Sequence, residues 1–200
     1  MGKDALLLIM LAEAVGLAAL YLLLQRLSRF SKRTWDEVPE FLRQVNLAAI
    51  EKLFDRRQEA EALAFGNARR AMRGRLDLAR EYVQCLYHNA TIVYQWGETE
   101  WSDMVHHQLE YEAETRDRIL ALHRESITFR VAARVALAKI WFWSILNFDR
   151  LALLPRPSVA ALRRPGSVDL LQAYQRVKAA AADLASVYGE EQSAEIMELM

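Results

Sequence analysis

The chain has 200 residues, 53% of them hydrophobic, with 26 basic and 26 acidic side chains; it can bury a sizeable core and is not a disordered chain, while its zero net charge excludes a global basic field for nucleic acid. One cysteine, Cys85, excludes an intramolecular disulfide and suits a reducing compartment. With seven glycines and four prolines beside abundant Ala, Leu, Glu and Arg, the chain favours helices over strands.

From Ala5 to Leu24 the sequence runs ALLLIMLAEAVGLAALYLLL, with Glu13 as the sole ionisable group. As a helix this stretch spans roughly 30 Å, the thickness of a hydrocarbon core. A mid-membrane acid costs about 3 kcal/mol, and the nine leucines of the run, at about half a kcal/mol each, offset it. Two rivals stand beside the anchor. Ala12-Glu13-Ala14 loosely resembles a signal-peptide cleavage site, although Lys3 is offset by Asp4 and the apolar stretch before the site is short. A helix at the heart of a soluble bundle is also apolar all round. Arg26, Arg29, Lys32 and Arg33 follow the span with no acid among them, so the positive-inside rule puts the large domain in the cytoplasm. The Asn89-Ala90-Thr91 sequon matters only on a lumenal side. Within the span, the pairs Ala12 with Gly16 and Ala14 with Ala18 allow a second backbone to approach closely. Together with Glu13, they predict contact with a partner helix.

Beyond the anchor, Thr34 to Pro39 reads as a helix start. Leu42, Val45, Ala49 and Leu53 then form one buried stripe of a helix continuing to about Phe65, with a turn or kink at Gly66-Asn67. In the next helix Leu76, Ala79, Val83, Leu86, Ala90 and Val93 alternate at spacings of three and four, and Leu78, Tyr82, Cys85 and Ile92 add a second row. Gly97 is expected to close this helix, with a polar, acidic helix over Ser102–His123 and an apolar one over Ile127–Phe148. Pro155, Pro157, Pro165 and Gly166 define a loop. Ser167 is the expected N-cap of a helix buried through Leu170, Tyr174, Val177, Ala181, Leu184 and Tyr188 and closed by Gly189, and a short helix can fill the tail from Glu190. Charge is segregated: residues 69–80 hold five arginines against Asp77, and residues 98–117 hold seven acids against Arg116. A hairpin turning at Gly97 would set these blocks side by side, as ordinary surface pairing or more.

Candidate chemistry is sparse. Asp103, His106, His107 and Glu110 form the one metal-like cluster, but no Glu-x-x-His pair of a carboxylate-bridged bundle site occurs. Cys85 lies on an apolar helix and reads as a structural thiol. No nucleophile elbow, dinucleotide fingerprint or phosphate loop is present. The stretch Ile140–Arg164 joins Trp141, Trp143 and Phe148 to Arg150, Arg156, Arg163 and Arg164, a composition suited either to a membrane interface or, for Trp141, Ile145 and Phe148, to the core. Arg130, Arg134 and Lys139 argue against a second span.

The expected fold is therefore all-α: a single N-terminal transmembrane helix with its basic cytoplasmic flank over 1–33, then a soluble antiparallel bundle, or long helical hairpins, over 34–200 with a break near 149–166. The expected function is a non-enzymatic, single-pass accessory or scaffold subunit of a larger bacterial-type membrane complex, using no cofactor, nucleic acid or small-molecule substrate. The alternatives are a membrane-tethered enzyme or metal protein built on dispersed residues, and an electrostatic membrane or nucleic-acid adaptor using the arginines of 69–80.

Overall fold

The computed structural model describes residues 38–64, 68–106, 113–145 and 158–200, apart from the side chains of Arg69, His106 and Ile145. All belong to the unit Thr34–Met200. The expected anchor, with Ala12, Glu13, Ala14, Gly16 and Ala18, lies outside them. Regular structure among the described residues is entirely helical: α1 (Val38–Phe41), α2 (Leu47–Leu53), α3 (Arg56–Ala64), α4 (Ala68–His106), α5 (Ala113–Ile145), a 3-10 turn at Ala160–Arg163, α6 (Leu170–Ala185) and α7 (Glu190–Leu199). None of these helices is long and apolar enough to cross a membrane.

Two long helices form the frame. Arg116 of α5 lies over the Trp101 ring of α4 at 6.0 Å, and His123 stands 3.7 Å from Glu98. Farther along, Arg134 donates to the Tyr87 hydroxyl at 3.0 Å. Residue numbers fall on one helix as they rise on the other, so the pair is antiparallel. Each expected member of the α4 stripe, from Leu76 to Val93, is buried. The second row divides: Ile92 is buried, Tyr82 and Cys85 half-buried, and Leu78 exposed.

Gly97 does not end the helix; α4 runs through it to His106. A Cβ at this position would meet His123 Nε2 at 3.0 Å and Leu122 Cδ2 at 3.3 Å, so the glycine serves the close approach of α5 rather than a turn. The expected Ser102–His123 helix is accordingly split between the end of α4 and the start of α5. The two charge blocks do not meet across a Gly97 hairpin. Arg75 and Asp103 share one helix, roughly 40 Å apart at a rise of about 1.5 Å per residue.

α6 lies against α5, with the rings of Phe129 and Tyr174 at 5.3 Å. Its expected stripe of Leu170, Tyr174, Val177, Ala181 and Leu184 is buried, whereas Tyr188, beyond the helix end, is exposed. The N-cap is Asp169 rather than Ser167: the carboxylate accepts from Leu171 N at 3.1 Å and Gln172 N at 3.2 Å. Burial raises the Asp169 pKa, but the Gln172 N–H and the Arg163 guanidinium outweigh it and hold the carboxyl below its ordinary range. Gly189 opens α7 instead of closing α6. Its φ of +139° is open to glycine, and a Cβ would run into the Gln192 side chain.

The segment 38–64 breaks where a continuous helix is expected. Asn89, fully buried in α4, offers its Oδ1 to Arg43 N at 2.9 Å and donates from Nδ2 to Arg43 O at 2.7 Å. Its amide also donates to the Tyr174 hydroxyl at 3.1 Å. Occupying both backbone groups of one residue holds it out of a helical ladder, and His88 pairs with Phe41 O at 3.0 Å beside it. Asn46 then restarts the chain as N-cap of α2, accepting from Ala49 N at 2.9 Å. From α3, the buried Glu59 accepts from Ser158 Oγ at 2.8 Å, Val159 N at 2.6 Å and Ala160 N at 3.3 Å. This one carboxylate fixes the entry to the 3-10 turn.

Candidate functional site

The predicted site residues fare unevenly. Asp103 is half-buried near the end of α4; His106 is described in backbone alone, and His107 and Glu110 lie outside the described residues. No group of three potential metal ligands comes together among the described residues. Trp141 is 65% exposed, which removes it from the core reading, while Trp143 is half-buried against the core. Phe148, Arg150 and Arg156 lie outside the described residues. Arg163 and Arg164 sit at the 3-10 turn, 3.1 Å and 3.7 Å from the carboxylate of Asp169. Burial pushes the Cys85 thiol up, against the opposing charge of Arg43, which suits a structural thiol.

Three arrangements go beyond those expectations. The first is a polar seam between α4 and α5. Arg130, largely buried, lies 4.5 Å over the Tyr94 ring and 5.9 Å from that of Tyr87, and Arg134 reaches Tyr87 from the next turn. Tyr94 and His123 are 5.2 Å apart between ring centroids. Burial, reinforced by the hydrogen bond and charge of Glu98, pushes the Tyr94 hydroxyl up to about 12. Burial also lowers the His123 pKa, against the opposing pull of Glu98 and Gly97. The ring is therefore neutral at neutral pH. The seam is an ordered set of donors and rings that lock the hairpin register.

The second is an open groove of about 1050 Å³ between α2, α3 and the 3-10 turn. Lys52, Arg56, Arg57, Arg163 and Arg164 line it against Glu51 and Asp55, an excess of positive charge able to attract an anionic group. A smaller groove of about 360 Å³ shares Glu51, Arg163 and Arg164 and adds Asp169 and Gln172. Only Arg163 and Arg164 were legible beforehand; α2, α3 and the turn come together through Glu59, a contact between residues a hundred positions apart.

The third is the outer face of α5. Ile127, Val131, Val135, Trp141 and Phe142 are all exposed. They recur mostly at helical spacing, on the side opposite the buried Phe129, Ala133, Ala136 and Ile140. The available sign was that residues 127–148 place apolar residues all around the helix, with Arg130, Arg134 and Lys139 as its only charges.

No family model, curated protein or solved structure matches this chain. What the site can do therefore rests on the residues themselves: a locked hairpin, a basic groove and an apolar helix face on one all-α frame.

Proposed function

We propose that this chain is a non-enzymatic, single-pass membrane subunit whose N-terminal helix meets a partner in the bilayer and whose helical domain meets partners on the cytoplasmic side. The single observation that carries the reading is the run Ala5–Leu24: twenty residues with one ionisable group, followed by basic residues without an acid before Asp36. Glu13, among Ala12, Ala14, Gly16 and Ala18, supports contact with protein rather than lipid, since an acid inside a bilayer is tolerated best where a partner faces it. The domain supports the reading in two ways. Its long hairpin separates a basic end from an acidic end by roughly 40 Å, which gives partners two electrostatically distinct surfaces. It also leaves an apolar helix face open, which suits a domain held beside a membrane.

Size-exclusion of gently solubilised membranes tests the proposal. The chain elutes with other subunits, and Glu13→Leu releases at least one of them. A monomer free of other subunits, or a partner set that Glu13→Leu leaves unchanged, contradicts it.

A further inference from the structure

The fold uses one side of α5 and leaves the other without a covering element among the described residues. Between Arg124 and Ser144 every exposed residue of the helix is apolar, arginine or serine; none is acidic. At about 1.5 Å per residue, Arg124 to Phe142 measures roughly 27 Å. Val131 is 58% exposed in the middle of this stretch and Trp141 is 65% exposed near its end.

Its charges point the same way. Arg134 is answered by the ring and hydroxyl of Tyr87, Arg130 by the rings of Tyr87 and Tyr94, and Lys139 by the carbonyl of Pro165 at 2.5 Å. Among the described residues none of these three has a carboxylate partner in an ion pair. Only Arg124, held 3.1 Å from Glu125, does. The exposed surface is thus mostly apolar, with Arg124 and Arg134 among its apolar side chains and no exposed acid.

Two features choose the occupant. One is charge: no exposed side chain between Arg124 and Ser144 is acidic, while Arg124 and Arg134 are exposed among the apolar residues, a pattern that an anionic surface complements. On a lipid surface each apolar side chain that enters adds to binding, and the long arginine side chains can reach phosphates. The bulky aromatics Trp141 and Phe142 at one end have the shape and polarity that favour the headgroup boundary.

We propose that the outer face of α5, from Arg124 to Phe142, lies flat on an anionic lipid surface, with Ile127, Val131 and Val135 at the boundary of headgroups and acyl chains and Arg134 at a lipid phosphate. The proposal rests on the membrane reading above and names lipid as a partner of the domain itself. It extends the contact expected for residues 140–164 upstream by about four helical turns. It also assigns it to a face that is in place before any lipid binds.

The test uses the full-length chain with Cys85→Ser and an environment-sensitive NBD label at Val131→Cys, reconstituted into vesicles of phosphatidylcholine alone or mixed with phosphatidylglycerol, with and without acyl-chain bromination. A label at Gln84→Cys, exposed on α4, is the control. The expected result is about a twofold loss of emission at position 131 in brominated mixed vesicles, a much smaller loss in phosphatidylcholine alone, and none at position 84. Adding Arg134→Gln and Lys139→Gln reduces the loss in mixed vesicles. A label at Val135→Cys repeats the measurement should Val131→Cys disturb folding. A label open to aqueous iodide in both vesicle types overturns the proposal. So does a label shielded from iodide but not quenched by brominated lipid, which means protein covers the face, and so does equal quenching in both vesicle types. Alkaline extraction of the same vesicles reads the anchor separately. Protein retained with its label in water overturns only the α5 contact, and protein released with its label still quenched beforehand overturns only the anchor.

Discussion

α5 and α6 pack against each other, yet they bury apolar surface in different ways. α6 is amphipathic in the ordinary sense: Leu170, Tyr174, Val177, Ala181 and Leu184 face the core, and Gln172, Gln175, Arg176 and Asp183 face outward. α5 buries Phe129, Ala133, Ala136 and Ile140 on one side and still presents Ile127, Val131, Val135 and Phe142 on the other. Folding buries every large apolar residue of α6 but leaves many of those of α5 exposed. Where a helix carries more apolar surface than its fold consumes, the excess points outside the monomer.

Variants can break or sharpen this contrast, and the largest effect belongs to the inner side. Phe129→Ala removes a fully buried ring packed on Tyr174 and should lower unfolding stability by about 3–5 kcal/mol in urea titrations. Asn89→Ala deprives Arg43 of both backbone partners. A cost of about 2–3 kcal/mol is expected, with faster hydrogen exchange concentrated at residues 41–46. Gly97→Leu forces a side chain into the α4–α5 contact at His123 and should cost about 1–3 kcal/mol.

A pH effect comes next. His123 has a lowered pKa in the folded chain, so the unfolded state binds the proton more readily, and stability rises with pH through the window below the ordinary histidine value. Acidification from neutral pH should therefore destabilise the protein, and His123→Gln should flatten that slope in thermal melts recorded across the window. The smallest effect belongs to the outer side: Val131→Asn should change stability by less than about 0.5 kcal/mol. If Val131→Asn costs as much as Phe129→Ala, both sides of α5 are core and the contrast disappears.

Much of the frame could be read in advance because it depends on local periodicity. The α4 stripe from Leu76 to Val93 and the α6 stripe from Leu170 to Leu184 repeat at helical spacing and are buried as that spacing implies. The errors lie where a distant residue decides. Arg43 leaves the helix because Asn89, on a separate element, takes its backbone groups. Gly97 stays helical because the demand for a missing side chain comes from His123 on the facing helix, and a glycine that serves close packing looks the same in sequence as one that serves a turn. Asp169 supersedes Ser167 as the cap by a matter of two positions, within the reach of either side chain chemistry.

The candidate sites follow the same rule. Arg163 and Arg164 were visible as a basic pair, but their groove partners Lys52, Arg56 and Arg57 arrive only through the tertiary link from Glu59 to Val159. Trp141 could be placed in a stretch suited to either core or interface, and its exposure depends on which face of α5 the α4 and α6 contacts consume.

Lipid around Ala5–Leu24 is measured most directly by alkaline carbonate extraction of membranes from cells producing the full-length chain. The protein is expected to stay with the membrane pellet, while a chain lacking residues 1–33 is extracted into the supernatant. Full-length, uncleaved protein recovered from the supernatant as a stable species without detergent would contradict the membrane reading.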